Sequence, residues 1–356
     1  MPYKKYSLYE EEVSYDNGRT WASTGNYTAS GNPIGTYETY DECTGSTSPS
    51  GNDLNYLTFV AIEEGTISWS GVEYPAYELI SGYLPNIYNE LSYSIDNGNT
   101  WSTPSNEFTT PIIPIGNKVL FKGSCNTQGK MGDAWEGSGG IGSFSTSSKF
   151  NLEGNIMSLI YSDNFVGKTK FPERIGGWTP NPIRHEIITG GAIFMLLFGA
   201  ESTASYSCKI VDARNLVLPV TELTPHCYRK MFSAQQTLVY PPAILPATTL
   251  APHAILSYSD MFAFCSNLVV SPILPATTPG YRTYEDMFRS CKSLSAITCL
   301  LTSTSDMCTS HWISDSYYEG TGVAENGTFY KNPEMNNWGT GMDGIPSGWT
   351  VVDYTG

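Results

Sequence analysis

The chain has 356 residues, of which 13% are aromatic and only 15% are charged, and its formal net charge at neutral pH is −15. This composition excludes an intrinsically disordered chain, which needs high charge and few aromatic residues to stay unfolded. Because no basic stripe is present to displace counterions from phosphates, we expect no nucleic-acid partner. The longest apolar run, residues 190–200, is about half of the ~20 residues that a membrane span needs, so no membrane span is predicted.

The length of the chain predicts several domains, since single cores rarely grow beyond ~250–300 residues. In chain order we predict a small β module at residues 1–48, a β-sandwich at 49–150, a repeat region at 151–310 and a C-terminal cap at 311–356. Three glutamates occupy positions 10–12, where the apolar stretch of a secretory leader would lie. We therefore expect either that the mature form begins here or that the protein is never exported by that route.

Two similar octets in the first third of the chain predict tight turns. Ser14–Trp21 and Ser94–Trp101 share the pattern S-x-D-N-G-x-T-W, and Asn-Gly tolerates positive φ at both central positions of a hairpin turn. The octets match the Asp-box of sialidases and other β proteins. They indicate a hairpin rather than an activity, because a sialidase needs several arginines and residues 1–165 hold only Arg19. The alternating stretches Leu57–Ile62 and Lys118–Lys122 are predicted strands of the sandwich.

A repeated pattern follows between residues 218 and 294. A Leu-Pro pair recurs at positions 218, 245 and 274, and a Met-Phe pair at 231, 261 and 287, with a degenerate earlier copy at Phe194–Phe198. Apolar residues three to four apart around the Met-Phe pair predict a short helical turn, whereas the Pro-x-Leu-Pro segments must be extended. Each unit is too small to close a core alone, so neighbours must stack. We predict a mainly β protein, with sandwich-like β modules followed by a short leucine-rich-repeat solenoid and a C-terminal cap.

Motifs that carry chemistry are largely missing. Gly137–Gly142 spells G-x-G-x-x-G without the strand and helix that a dinucleotide site needs, which predicts a flexible loop. His185-Glu186 lacks a second zinc ligand, and His226 and His253, in comparable repeat positions, are interpreted as surface residues. The eight cysteines show no C-x-x-C spacing and are interpreted as buried thiols, with disulfides as the alternative. We predict no enzyme and no catalytic, metal or cofactor site; the ligand-binding residues stay unassigned.

The repeats carry a resemblance to a known family. Their pattern, Y-x-x-M-F-x-x-C-x-x-L followed by P-x-L-P-A-T-T, resembles BspA-type leucine-rich repeats, found in surface proteins of Bacteroidales and of their phages. The stretches Gly140–Leu159 and Gly327–Val351 are similar to the same family. The opening, Tyr3–Glu38, resembles the N-terminal segment of fibre-like virion proteins of crAss-like Bacteroides phages. One departure is that the first full repeat reads Ser233-Ala234-Gln235 instead of ending in the repeat cysteine.

This resemblance implies a phage virion structural protein, a tail or capsid fibre or appendage that is assembled in the bacterial cytoplasm. The module at 1–48 would then contact other virion proteins, and the repeats would adhere to a host surface glycan or protein. Fibre proteins are commonly homo-oligomers, so self-association is compatible with this interpretation. The alternatives are a bacterial cell-surface adhesin and a glycan-degrading fibre enzyme, whose two carboxylates need to meet only in space.

Overall fold

The computed structural model describes residues 3–6, 11–14, 22–23, 55–71, 89–105, 107–125, 141–171, 193–200, 208–250 and 254–355. Within these ranges the protein has sixteen strands and a single short α-helix, which confirms the mainly β class predicted from the sequence. The chain divides into two compact units: Met1–Asn55 together with Tyr354–Gly356 form one, and Tyr56–Asp353 form the other. The four domain boundaries expected from the sequence stay predictions.

In the first unit, the described backbone forms an antiparallel sheet of three strands in the order β1-β2-β3. These strands are β1 (Tyr3–Tyr6), β2 (Glu11–Ser14) and β3 (Ala22–Ser23), with Tyr3 opposite Ser14. The turn of the first octet, residues 16–21, lies outside the described residues.

The second unit begins with two antiparallel sheets that face each other. Their strands are β4 (Leu57–Ala61), β5 (Ile67–Gly71), β6 (Asn89–Ser94), β7 (Glu107–Thr109), β8 (Lys118–Cys125), β9 (Gly142–Thr146) and β10 (Lys149–Asn155). One sheet contains β10-β4-β8-β6 and the other β7-β5-β9. The ring of Phe144 on β9 lies 5.1 Å from that of Phe59 and 4.9 Å from that of Phe121, which belong to the opposite sheet. The two strands predicted from alternation are therefore present and share a sandwich-like core.

The second octet folds as its sequence predicts. Asn97 and Gly98 adopt φ values of 57° and 84°, as a tight turn with two left-handed residues requires. The Asp96 carboxylate accepts hydrogen bonds from the Thr100 amide at 2.9 Å and its hydroxyl at 2.6 Å, and from the Ser94 hydroxyl at 2.7 Å. These bonds, led by the Thr100 hydroxyl, lower the pKa of Asp96 from 3.8 to about 2. The octet is thus a self-contained structural turn.

From β10 onward, successive coils of the chain run parallel to one another. The later elements are the helix α1 (Ser158–Tyr161), a 3-10 turn (Ser162–Asn164), β11 (Lys209–Ile210), β12 (Asn215–Val217), β13 (Val270–Leu274), β14 (Ala296–Cys299), β15 (Thr328–Lys331) and β16 (Thr350–Asp353). Strand β10 pairs in parallel with β11 and β12, and β13 to β16 form a parallel sheet in chain order. Parallel bridges at Asp212–Tyr240 and Ile244–Ile273 join the two groups. We call the described residues between 193 and 353 the coil stack.

The segments around the Met-Phe pairs are chains of turns, so the predicted helical turn is wrong. In the first of them, His226, Lys230 and Ala234 have positive φ values of 57°, 54° and 62°. Amides alternate in their use: Arg229 N–H bonds back to His226 O at 3.1 Å, whereas its neighbour Tyr228 N–H donates to Ser257 O in the next coil at 2.9 Å. A left-handed residue costs roughly 1–2 kcal/mol, and the hydrogen bonds between coils offset that cost. A four-residue spacing mimics the 3.6-residue helical period, which explains the error.

Equivalent aromatic side chains stack from coil to coil. In one column the Tyr258 ring lies 5.6 Å from Tyr228 and 5.9 Å from Tyr284, and these rings are close to parallel. A second column contains Phe232, Phe262 and Phe288, with ring distances of 5.5 and 5.8 Å. The earlier copy extends both columns, since Phe194 stacks on Tyr228 and Phe198 contacts Phe232. Offset stacks of this kind add to the free energy of simple burial.

The repeat cysteines bond to the preceding coil. The thiol of Cys265 donates to Phe232 O at 3.1 Å, and that of Cys291 to Phe262 O at 3.0 Å. In the repeat without this cysteine, Gln235 takes the same place: its amide donates to Phe198 O, and its oxygen accepts from Ile210 N–H at 3.2 Å. The departure from the repeat pattern therefore preserves the contact. Five cysteines whose side chains the structure describes are buried free thiols, Cys227, Cys265, Cys291, Cys299 and Cys308, and Cys208 is also buried.

Candidate functional site

The turn side of the coil stack aligns outward residues in columns. Lys230, Asp260, Asp286 and His311 occupy the same place in four consecutive coils, with φ values of 54°, 54°, 53° and 54°. Each of the first three donates its amide to the carbonyl that precedes the next column member, as in the 2.9 Å bond from Asp260 N to Glu285 O. Residues 25–30 positions apart are thereby brought side by side, so charged groups from different repeats can interact.

Five side chains on this side of the stack form a connected polar group, which we call the Arg289 cluster: Arg229, Asp260, Asp286, Arg289 and Tyr318. The Asp260 carboxylate lies between two guanidinium groups, 3.7 Å from Arg229 Nε and 3.7 Å from Arg289 Nη2. Arg289 Nη1 lies 3.8 Å from the Asp286 carboxylate, which also accepts a 3.3 Å hydrogen bond from the Tyr318 hydroxyl. Arg289 itself donates to that hydroxyl. Three coils and one following loop thus share a single network.

Two aromatic rings contact the guanidinium group of Arg289. Its central carbon lies 4.8 Å from the centre of the Phe264 ring and 5.0 Å from that of Tyr318, within the range of cation–π attraction. Tyr318 also makes an edge-to-face contact with His311 at 5.1 Å. An arginine whose guanidinium group contacts two rings loses little further side-chain freedom when its remaining N–H groups bind a ligand.

A short hairpin loop, residues 314–321, carries Tyr318 and a second tyrosine. The Asp315 carboxylate accepts hydrogen bonds from the Tyr317 and Glu319 amides, both at 3.0 Å, and Asp315 N–H donates to Gly320 O at 2.8 Å. These bonds define the backbone of the loop. Tyr317 is 78% exposed and Tyr318 is 40% exposed. The loop therefore presents two tyrosines beside the Arg289 cluster.

Two neighbouring carboxyl groups, Asp286 in the cluster and Glu285 beside it, have raised pKa values. Burial, reinforced by the neighbouring Asp260, raises the pKa of Asp286 from 3.8 to about 7, against the opposing effect of Arg289. Burial likewise raises the pKa of Glu285, with Arg282 opposing it. Asp286 Oδ1 and Arg289 Nε have no hydrogen-bond partner among the described residues. Unpaired polar atoms at a partly buried position are uncommon and call for a physical explanation.

The histidines considered from the sequence lie in different surroundings in the structure. Burial, together with the charge of Arg229, lowers the pKa of the half-buried His226 to about 4. Leu256 is the residue that aligns with His226, since each donates its amide to the next coil and has positive φ. The expected equivalence of His226 and His253 is therefore wrong. His253 and His185 lie outside the described residues, whereas His311 borders the Arg289 cluster.

The glycine-rich stretch predicted from the sequence contributes to strand packing where the structure describes it. Of the glycine-rich stretch 137–142, the first four residues lie outside the described ranges. Gly142 begins β9, and a Cβ atom there would approach the Trp69 ring to 2.5 Å and Ser70 O to 2.6 Å. Its glycine is thus required for close strand packing. The Arg289 cluster was missed by sequence reasoning; the recurring Asp-Met-Phe at 260–262 and 286–288 was its one visible signal.

Within the described ranges, no group of three or more His, Cys, Asp or Glu residues is arranged to hold a metal ion. No helix in the described part of the chain has the length and apolar character to cross a bilayer. The arrangement instead offers charged donors and acceptors beside exposed aromatic rings, which suits the binding of a polar ligand. No protein-family model matches the chain, and no match was found among curated proteins or among solved structures.

Proposed function

We propose that this chain is a phage virion structural protein, a tail or capsid fibre or appendage, whose coil stack is a short leucine-rich-repeat solenoid that adheres to the host surface. The observation that carries this proposal is the in-register stacking of equivalent aromatic residues in consecutive coils. A coil of this kind buries its apolar side only against its neighbours. Side chains on the turn side of the stack therefore align in columns, which offers a surface suited to binding.

The assignment to a virion draws on the resemblance of Tyr3–Glu38 to fibre-like phage proteins and of the repeats to BspA-type surface proteins. On this proposal the module at 1–48 attaches to other virion proteins, and the coil stack contacts a host glycan or protein. The two compact units are compatible with such a division between attachment and adhesion.

Mass spectrometry of gradient-purified virions tests the virion assignment, and binding of the fluorescently labelled full chain to host cells tests adhesion. We expect peptides of this chain in the particle and saturable binding to host cells. Absence from the particle, with peptides found instead in the bacterial envelope fraction, would establish the cell-surface adhesin.

A glycan-degrading enzyme is the second candidate, and one observation favours it. Burial raises the pKa of Asp286 to about 7, and a second carboxyl group, Asp260, lies nearby; glycosidases use a carboxyl group with a raised pKa together with a second carboxyl group. The two carboxyl groups are, however, engaged by arginines, with 14% and 9% of their side chains exposed. Release of reducing sugar ends from host capsule by the full chain, lost in Asp286→Asn, would establish the enzyme. The adhesion proposal predicts no release by either protein.

A further inference from the structure

We propose that the Arg289 cluster and the loop tyrosines Tyr317 and Tyr318 form a binding site for an uncharged glycan. This inference rests on the proposed adhesive function and deepens it by assigning a ligand class and a site. It concerns the turn side of the coil stack, where the coils that carry Asp260 and Asp286 meet the hairpin loop 314–321.

The first step concerns the exposed aromatic rings. Tyr317 is 78% exposed at the tip of a loop whose backbone is fixed by the Asp315 carboxylate. A tyrosine this exposed contributes little to the fold, yet it presents a large rigid face at low entropic cost. The C–H groups on one side of a pyranose ring pack against the electron-rich face of such a ring. Tyr317 therefore offers a stacking face for a sugar unit.

The second step concerns the polar groups beside this stacking face. Sugars present neighbouring hydroxyls, which pair with planar groups that offer two donors or two acceptors, such as guanidinium and carboxylate. Arg289 and Asp286 supply both kinds, and Arg289 Nε and Asp286 Oδ1 have no partner among the described residues. Both atoms are buried, and the Tyr318 hydroxyl hydrogen-bonds to both side chains, so a ligand hydroxyl that displaces the Tyr318 hydroxyl would open access to them. Hydrogen bonds to the ligand would then satisfy both atoms.

The third step concerns charge. Asp260, Glu285 and Asp286 pair with Arg229, Arg282 and Arg289, within one coil or between neighbouring coils, so three acids stand beside three arginines. The chain carries a net charge of −15, which repels polyanions at long range. An uncharged glycan is not repelled by this net charge. A protein partner is disfavoured, because the centres of protein interfaces are depleted of charged residues, whereas here charged groups occupy the centre.

Affinity electrophoresis of the full chain through gels containing soluble dextran, mannan or galactan tests the proposal, with dextran sulfate as the polyanionic comparison. We expect at least one neutral polysaccharide to retard the protein and dextran sulfate to have no effect. Loss of one stacking ring is worth about 1.4 kcal/mol, or tenfold in affinity. Tyr317→Ala should therefore weaken retardation about tenfold, and Asp286→Asn should also weaken it.

Tyr281→Ala is the matched control, because Tyr281 is also exposed, at 42%, in the same coil as Asp286 but outside the cluster. It should bind as the unmodified chain does. Retardation by no neutral polysaccharide, or equal retardation of Tyr317→Ala and the unmodified chain, overturns the proposed site. The adhesive function fails separately, if the labelled chain does not bind host cells. If Tyr317→Ala still binds host cells as the unmodified chain does, the proposed site is wrong but the adhesive function is not contradicted.

Discussion

Removal of one ring from the middle of an aromatic column is the most direct test of the coil stack. Phe262 is fully buried and lies 5.5 Å from Phe232 and 5.8 Å from Phe288. Truncating a buried phenylalanine to alanine costs about 3–5 kcal/mol, from lost transfer free energy and the cavity left behind. Because both ring contacts are lost as well, we expect Phe262→Ala to fall near the middle of that range, at about 4 kcal/mol.

Urea unfolding followed by circular dichroism measures this change in the free energy of unfolding. In a thermal melt, the midpoint temperature should fall by about 10 °C. Tyr281→Ala, at an aromatic residue that is 42% exposed, should cost less than about 0.5 kcal/mol. The double variant Phe232→Ala/Phe262→Ala should deviate from additivity by about 1 kcal/mol, since the two rings touch. If Phe262→Ala costs no more than Tyr281→Ala, the column does not support the fold and the stacking argument is refuted.

Three further predictions concern polar contacts. Gln235→Ala should cost about 2 kcal/mol, because Phe198 O and Ile210 N–H lose a buried partner; chemical denaturation measures this, and Gln236→Ala, at its exposed neighbour, should be close to neutral. Asp96 has its pKa lowered to about 2, so the stability that its ionised form provides is present above pH 4 and lost as the pH falls through 2. The unmodified chain should therefore exceed Asp96→Asn in melting temperature at pH 6, and the gap should close by pH 2. Asp286 has its pKa raised to about 7, so the folded state holds its proton more tightly and loses stability as the pH rises from 4 to 7. Asp286→Asn should remove that decline, and an identical pH profile in both proteins would contradict it.

The sequence predicts local features of this protein better than its distant contacts. Turn chemistry at Asn97-Gly98 and alternation at Leu57–Ile62 each depend on a few adjacent residues, and both have the predicted form. The Met-Phe segments were predicted as helical because residues three to four apart share one side both in a helix and in a chain of four-residue turns. Backbone φ distinguishes the two structures, and no residue type in the segment demands left-handed φ at Lys230 or Ala234.

The candidate site was beyond sequence reasoning for a related reason. Arg229, Asp260 and Arg289 are 31 and 29 positions apart, and they meet only because coils of unequal length align at the same place. That alignment depends on which amide bonds to which carbonyl in the next coil, a register that is set by the stacked aromatic rings. Tyr318 joins them from a loop with no counterpart in the other repeats. Spacing alone therefore could not bring these charges together.

The sandwich also covers one end of the coil stack. A parallel stack exposes unpaired backbone groups and an apolar layer at each end, and both invite aggregation. At the beginning, β9 and β10 pair directly with the first coil: Phe144 N–H donates to Leu197 O at 2.8 Å, and β10 pairs with β11. The Phe144 ring, at 5.8 Å from Phe198, extends the aromatic column into the sandwich. The sandwich core and the coil core are thus continuous, so the sandwich acts as the first cap of the stack.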